Sequence, residues 1–565
     1  MKFRPALMAL LAATAIAGCK PAAPEVDFTT FTQNTIDGWL KVDPYFAVYQ
    51  GAHQFDGKWA DWSEAGLKAR GDFLRGVIAS AKDYEGLSPE DSFTRNYIVK
   101  AAEGQLFWLE EADQPHKNPA WYVSAFDPNV YLTREYADRP TRLKALIAFL
   151  DGVPGAAGQV QANLGKAPLP KSFIAFGASA FGGYAEFYKG DMIKAFADVK
   201  DPALQTQLAE SAAKAGGAMQ GLTDWLNGQE KTATQDFVLG EAKFSRMLSA
   251  TEGVDVPLDV LEQAGRDDLA RNKTALTEEC GKFAPGKTVG ECMVLLNANR
   301  PDGGAVAEAT RQIPELTAFV KAQDLVTIPG TEQALVRQSP PYNAQNGAYI
   351  DPPGPFEKGI PSIYYIAAPD PSWPMEKQLA YIPGKKDLLF TSVHEVMPGH
   401  FLQFLHANRS PSMFGRLFVG YAFAEGWAHY SEELMWEAGY GAGDAETHIG
   451  QLTNALLRNC RYLSAIGMHA RGMTQDQSKQ LFIDECFQDE GTAEQQAARG
   501  TYDPAYLNYT LGKLMIRKLR TDWTATRGGR AGWKAFHDTF LSYGGPPIPL
   551  VRQSMMGEPE AKAAF

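Results

Sequence analysis

The sequence is poor in long apolar runs and carries more acidic than basic residues. No apolar run reaches the ~18 residues that a membrane-spanning helix needs, and the stretch from Leu7 to Ile16 is itself too short. The 54 lysines and arginines are outnumbered by 66 acids, and a net charge of -12 makes nucleic acid and anionic lipid surfaces poor partners. A length of 565 residues with 45% hydrophobic content predicts a globular protein of two lobes or several domains.

Cysteine is also scarce. The chain has five cysteines and no Cys-x-x-Cys pair, so a zinc knuckle or a thioredoxin-like motif is not supported. Four of them lie in the body of the chain: Cys280, Cys292, Cys460 and Cys486. An even number permits disulfides in an exported protein. Cys280 with Cys292 would close a short loop, and Cys460 with Cys486 a longer one.

The N-terminus predicts export. Two basic residues precede the apolar stretch, which is too short to span a bilayer and ends in Ala-Gly-Cys19. This resembles a bacterial lipobox, which implies a signal peptide over residues 1–18, lipidation of Cys19 and a tether over residues 19–30. The alternative is a plain secretory signal with a chance cysteine. The predicted location is the cell envelope, facing the periplasm, with the outer membrane preferred because Lys20 is not an inner-membrane retention acid.

Helical patterns dominate the fold prediction. Ser88 followed by Pro89 is typical of a helix start, and the stretch that begins at Arg139 reads as a helix ending at Gly152 and Pro154. Residues 338–385 are rich in proline and glycine and contain one strand-like run, 363–366. We therefore predict a mainly α protein with a helical lobe over residues 31–337 and a catalytic lobe over residues 338–565. The small β element should lie beside the helix that binds metal.

The strongest chemical signal is HEVMPGH, residues 394–400. Zinc hydrolases place two histidines on one helix face, with a glutamate beside the first as general base. His394 and His400 are six apart, so a regular helix would leave the second about 120° off the face. Pro398 cannot donate a helical hydrogen bond, and Gly399 tolerates unusual backbone conformations. Together they can loop two residues out and return His400 to the face of His394.

A third ligand is expected from the next helix. HANRSPS, residues 406–412, is a turn signal, and GRLFVGYAFAEGWAHYSEEL then allows an antiparallel helix. Glu425 lies there in an apolar stretch, where a carboxylate needs a partner such as a metal. His429, four residues later on the same face, is the competing ligand. We instead place His429 at the rim or in support of the ligands.

Other polar residues nearby have simpler explanations. His406 is predicted to be structural. The acidic pair Glu432 and Glu433 is predicted on a solvated face, although one of them could hydrogen-bond a ligand histidine. The alternative for His394 and Glu395 themselves is an ordinary position on an amphipathic helix.

These motifs resemble a known family. HEVMPGHFLQ followed by AEGWAHYSEEL resembles the bacterial domain-of-unknown-function 885 family, which is grouped with gluzincin-type zinc metallopeptidases. Upstream GAYIDPPG and GIPSIYYI and downstream DPAYLNYTLGKLMIRKLR also resemble its pattern. The resemblance implies a large, two-lobed helical fold with a deep central cleft, like that of angiotensin-converting enzyme, and one Zn²⁺ per chain. One departure is Ala465, where the family pattern has an aspartate four residues before His469.

The expected activity is hydrolysis of short peptides, as an oligopeptidase, dipeptidase or carboxypeptidase. His394, His400 and Glu425 would bind zinc, and Glu395 would be the general base. His469 and Tyr509 are the candidates for stabilising the oxyanion, unless they are core residues.

Substrate binding is assigned to two further groups. Arginines that could clamp a substrate carboxylate are Arg458, Arg461 and Arg499, although a structural ion pair is the alternative for each. Tyr364 and Tyr365 lie in the strand that could bind substrate backbone by strand addition.

Two other function classes stay open. One is a metal-dependent hydrolase of non-peptide amides or cell-wall peptides. The other is a non-catalytic lipoprotein that binds metal or peptide, against which an intact Glu395 argues. The membrane is expected as a partner only through the lipid anchor, and the oligomeric state is not predicted.

Overall fold

The computed structural model describes residues 26–340, 347–369 and 373–565. It is 69% helical with 3% strand, which confirms the mainly α prediction. The predicted signal peptide and Cys19 lie outside the described residues. Within the described ranges, no helix combines the length and apolar character required to cross a bilayer.

Helices make up most of residues 26–322. They are α1 Phe28–Val42, α2 Pro44–Tyr49, α3 Glu64–Lys82, α4 Pro89–Leu106, α5 Gln114–Lys117, α6 Ala120–Val123, α7 Asn129–Thr133, α8 Arg139–Leu164, α9 Lys171–Lys189, α10 Asp191–Lys194, α11 Pro202–Gly228, α12 Glu241–Glu252, α13 Leu258–Phe283, α14 Val289–Ala298 and α15 Ala305–Ala322.

A short sheet interrupts the helices before they resume. Its strands are β1 Ala334–Gln338, β2 Ala348–Asp351 and β3 Ser362–Ile366. The later helices are α16 Met375–Tyr381, α17 Lys385–Glu395, α18 His400–Ala407, α19 Met413–Leu417, α20 Tyr421–Glu437, α21 Ala445–Ala470, α22 Gln475–Asp484, α23 Glu490–Tyr502, α24 Asn508–Thr524, α25 Trp533–Ser542 and α26 Ile548–Met556.

Two helix boundaries test the local reading of the sequence. The α4 start is confirmed, because the Ser88 hydroxyl accepts a hydrogen bond from the Asp91 N–H and Pro89 takes the first helical position. The predicted end of α8 at Gly152 and Pro154 is wrong, since the helix continues to Leu164. Residues after Pro154 keep burying apolar side chains against α11, and this packing offsets the hydrogen bond that the proline removes.

The sheet confirms the predicted strand and places it at the centre. The order is β1-β3-β2, in which β3 pairs in parallel with β1 and antiparallel with β2. All five residues of β3 are buried. One face of the sheet lies towards α17, which carries His394.

The helices bury two hydrophobic cores. One core is built mainly from helices α1 to α11 and includes Trp39, Phe126 and Leu150. The other joins α12 to α15 with the second half of the chain and includes Phe244, Phe390 and Trp427. The lobe boundary at residue 337 stays a prediction, and α12 to α15 pack with the helices of the candidate site.

Two disulfides fasten helices of the second core. Cys280–Cys292 joins α13 to α14, and Cys460–Cys486 joins α21 to the segment after α22. These are the pairings between sequence neighbours that the even cysteine count permits, and they fit an oxidising compartment.

Candidate metal centre

The HEVMPGH segment forms two helices joined by a tight turn. Helix α17 ends at Glu395 and α18 begins at His400, with a cis peptide bond between Met397 and Pro398. The turn depends on Gly399, where an added Cβ would lie only 1.8 Å from the carbonyl oxygen of His394. The two histidine ring centres are 4.8 Å apart. The proline and glycine therefore bring His394 and His400 together, as the spacing argument predicts.

Glu425 on α20 completes the cluster. Its Oε2 lies 3.2 Å from the Nε2 of His394 and 3.2 Å from the Nε2 of His400. One ligand atom from each of these residues lies within 4.8 Å of the others. Both histidines are buried, whereas the Glu425 side chain keeps 21% of its surface exposed, so the cluster is reachable from one side.

Close packing holds α20 in this position. The indole N–H of Trp427 donates a hydrogen bond to the carbonyl of Pro398 at 2.8 Å, which joins α20 to the turn between the histidines. On the other side of α20, Gly426 meets Gly512 of α24, and a Cβ on Gly426 would lie 2.5 Å from the Gly512 Cα. The sequence analysis missed this glycine contact.

A buried carboxylate orients the first histidine. Glu432 accepts a hydrogen bond from His394 Nδ1 at 2.7 Å and from His429 Nδ1 at 3.2 Å, and Arg458 lies 3.5 Å from it. His429 and Glu432 follow Glu425 by four and seven residues, so the sequence spacing could have predicted that all three lie on one face of the helix. His429 is fully buried and so does not lie at the rim, and it supports the carboxylate that holds His394.

The prediction that the acidic pair lies on a solvated face is wrong, whereas the alternative that one of the two hydrogen-bonds a candidate ligand histidine holds for Glu432. Glu432 and Glu433 are buried. Glu433 points to a separate group of cations, with Arg271 at 3.0 Å, Arg517 at 3.4 Å and Lys513 at 3.7 Å. Burial of the pair is possible because each carboxylate has its own positive partners.

The donor set fits a divalent metal. Because ionised Glu432 can only accept, His394 Nδ1 must carry the proton of that hydrogen bond. When the ring is neutral, its Nε2 carries a lone pair that faces the Glu425 carboxylate oxygen at 3.2 Å. Two facing lone pairs repel each other, so this arrangement requires a cation between the nitrogen and the oxygen. Two imidazole nitrogens and one carboxylate oxygen are the ligands of a catalytic zinc site, and a carboxylate behind a ligand histidine is its usual support.

The pKa shifts of the cluster residues also indicate that the cluster favours a bound cation. Burial would raise the pKa of Glu425, but His400 and His394 hold the pKa of this carboxyl well below its usual range. Burial would lower the pKa of His394, but Glu425 and Glu432 raise it to about 9. In the absence of metal, the cluster therefore retains a proton.

Glu395 lies beside these ligands and is itself buried. Burial raises the pKa of its carboxyl, and the neighbouring His394 and His400 partly oppose this rise. A carboxylate with a raised pKa is a better proton acceptor than an ordinary one near neutral pH. Its position and its pKa both suit a general base.

Tyr509 on α24 lies next to the cluster. Its ring centre is 6.1 Å from that of His394. Three guanidinium groups surround the same ring, with Arg461 at 4.8 Å and Arg458 and Arg499 each at 5.9 Å. The structure thus brings together four of the predicted site residues around the histidines.

His469 is not brought into the cluster. Its Nε2 donates to the carbonyl of Gly500 at 2.7 Å, and its Nδ1 accepts from the N–H of Leu239 at 3.4 Å. The ring is fully buried and stacks 6.0 Å from Phe244. With both nitrogens used by backbone groups, His469 fits the core position that the sequence analysis kept as its alternative. We do not retain it as an oxyanion donor.

Strand addition at β3 is also corrected. Tyr364 and Tyr365 lie on the central strand, whose backbone is paired on both sides, so no substrate can add there. Tyr365 stacks on Tyr349 at 5.1 Å. Tyr364 faces the opposite side, where burial and the charge of Glu395 raise the pKa of its hydroxyl. His406 is structural as predicted, with its Nε2 bonded to the Thr327 carbonyl at 2.8 Å.

Similarity to known proteins covers nearly the whole chain. Residues 44–555 match the profile of a bacterial protein family of unknown function, DUF885. A structure from Shewanella oneidensis, described as a "putative lipoprotein of unknown function", is 24% identical with a TM-score of 0.76, covering 94% of this chain and 100% of its own. A "putative lipoprotein" from Colwellia psychrerythraea is 17% identical with a TM-score of 0.80, covering 94% and 98%. At these identities the two structures show a shared fold. No curated protein matches the chain significantly.

Proposed function

The chain belongs to the DUF885 family of bacterial proteins, and from its own site we propose that it is a zinc-dependent peptidase acting on short peptides. The observation that carries the proposal is the convergence of His394, His400 and Glu425, whose ligand atoms lie within 4.8 Å of one another. A buried Glu395 beside two of these ligands adds the proton acceptor that hydrolysis requires. A site built only to bind metal has no need for that group.

Each residue has a defined task in this proposal. His394, His400 and Glu425 hold the metal. Zinc in such a site supplies Lewis-acid chemistry, since it lowers the pKa of water and polarises a carbonyl group. Glu395 takes a proton from the attacking water and passes it to the leaving amine. The Tyr509 hydroxyl donates a hydrogen bond to the substrate oxygen that becomes negative.

The cellular setting also supports a peptidase of the cell envelope. The lipobox-like Cys19, the two disulfides and the descriptions of both similar structures as lipoproteins agree with an exported, lipid-anchored protein. We propose the periplasm as the compartment and the outer membrane as the preferred anchor. The proposed substrates are short peptides that are produced in the periplasm or imported into it.

The test compares the purified, zinc-loaded protein with its Glu395→Gln variant on a mixed peptide library read by mass spectrometry. We expect cleavage by the wild type and a loss of roughly 10²- to 10⁴-fold in the variant. Zinc content measured on both samples should be equal, because Glu395 is not a ligand. If the zinc-loaded wild type cleaves no peptide, the proposal is wrong, and a hydrolase of other amides or a binding lipoprotein takes its place.

A further inference from the structure

Of the three arginines around Tyr509, one has no acidic partner among the described residues. Arg458 pairs with Glu432 at 3.5 Å, and Arg499 pairs with Asp503 at 2.9 Å. The Nε of Arg461 donates to the Gln496 amide oxygen at 2.7 Å, and no carboxylate in the described part of the chain lies within ion-pair distance of Arg461. Arg461 is only 8% exposed.

An unpaired buried guanidinium is costly. Taking a cation out of water without a counter-charge is unfavourable, and such groups are almost always paired. Burial and the nearby charges of Arg499 and Arg458 lower the pKa of Arg461. The fold therefore maintains a local excess of positive charge, which an anion from outside the chain can neutralise.

The position of this charge limits what the anion can be. Arg461 lies 4.8 Å from the Tyr509 ring, and that ring lies 6.1 Å from His394. An extended peptide spans ~3.3–3.6 Å per residue. A peptide whose scissile bond lies at the metal ligands can thus place a group one to three residues away on the guanidinium.

Resting on the peptidase function proposed above, we infer that Arg461 binds the terminal α-carboxylate of the substrate and makes the enzyme release one to three residues from the C-terminus. A guanidinium presents two parallel N–H donors that match a carboxylate, which gives both affinity and orientation. The Nε bond to Gln496 fixes the guanidinium plane while its other nitrogens remain available. Arg461 is a substrate-binding residue in this scheme, and Arg458 and Arg499 are held by their own acids.

The experiment uses three peptides that share one sequence except at the last position of the third. The first ends in a free carboxylate, the second in an amide, and the third ends in an amide but carries a glutamate at the last position. Wild type, Arg461→Met and Arg461→Lys are compared by kcat/KM. The matched control is Arg520→Met, which removes an equally buried arginine (7% exposed) that is paired with Glu437.

We expect the wild type to favour the free acid over both amides by roughly 10- to 100-fold, as for a charge-assisted hydrogen bond to a buried group. Arg461→Met should lose this preference and cleave the free acid about as slowly as the plain amide, and a cooperative thermal unfolding transition shows that the variant is folded. Arg461→Lys should keep part of the preference. Arg520→Met should keep all of it, although its melting temperature falls.

Three results would overturn the inference. Equal cleavage of acid and amide by the wild type removes the carboxylate requirement. An unchanged preference in Arg461→Met assigns the carboxylate to another group. If the amidated peptide with a C-terminal glutamate is cleaved as well as the free acid, and this cleavage depends on Arg461, then the arginine binds an acidic side chain and not the terminal carboxylate. Absence of any cleavage by the wild type is a different failure, because it refutes the proposed peptidase function itself.

Discussion

Two adjacent glutamates on α20 allow a role in metal binding to be tested separately from a role in fold stability. Glu432 hydrogen-bonds the candidate ligand His394, whereas Glu433 pairs with cations on other helices. Both are buried and ionic, so their removal should cost comparable stability. We predict that Glu432→Gln weakens zinc binding and that Glu433→Gln does not.

The size of the effect follows from the contact. The His394 bond to Glu432 is 2.7 Å long, fully buried and charge-assisted. A glutamine keeps an acceptor oxygen but loses the charge, which makes the His394 ring a weaker donor of electrons to the metal. Loss of such a supporting carboxylate typically costs 10- to 100-fold in metal affinity, or about 1.4–2.7 kcal/mol.

The assay is competition for zinc against a chelating dye at pH 7.5, on samples first stripped of metal. Urea unfolding of the same metal-free samples measures the stability change, which should be a loss in both variants because each leaves buried cations without a partner. Equal zinc affinities for the two variants would refute the assigned role of Glu432. A weaker affinity for Glu433→Gln than for Glu432→Gln would refute it more strongly.

Three further predictions concern the turn, a buried acid and a helix contact. Gly399→Ala should abolish zinc binding, measured by metal content, because its Cβ would collide with the His394 carbonyl at 1.8 Å; a metal-loaded variant would contradict this. Burial raises the pKa of Glu252 to about 7, above its unfolded value, so its protonated form contributes stability that is complete below about pH 4.5 and is lost as the pH rises to about 7. Urea titrations should show about 3 kcal/mol of this pH dependence in the wild type and none of it in Glu252→Gln. Gly512→Ala should lower the free energy of unfolding by about 1–3 kcal/mol through overpacking, whereas Gly217→Ala, on an exposed and open helix face, should raise it by about 0.5–1 kcal/mol.

Local rules were enough to predict the convergence of the metal-centre residues. A helix period, a Pro-Gly break and a turn followed by a second helix bring His394, His400 and Glu425 together. Each of these depends on contacts within a segment of about 30 residues. The start of α4 at Pro89 is predictable for the same reason, since its cap lies in the adjacent residue.

Contacts between distant segments account for what could not be predicted. His469 is fixed by Leu239 and Gly500, whose positions nothing local to the histidine reveals. The burial of Glu433 depends on Arg271, which lies more than 150 residues earlier in the chain. β3 becomes a central strand only because β1 pairs with it in parallel, an arrangement that periodicity cannot show.

The glycine contact between α20 and α24 has a consequence for how substrate enters. A Cβ on Gly512 would lie 2.0 Å from the carbonyl of Ala422, so the two helices touch through their backbones with no side chain between them. Such a contact cannot slide or tilt without a clash, because there is no rotamer to readjust. Glu425 and Tyr509 therefore belong to one rigid unit and keep their separation. Any motion that admits a peptide or releases its products must take place between this unit and the elements that face it.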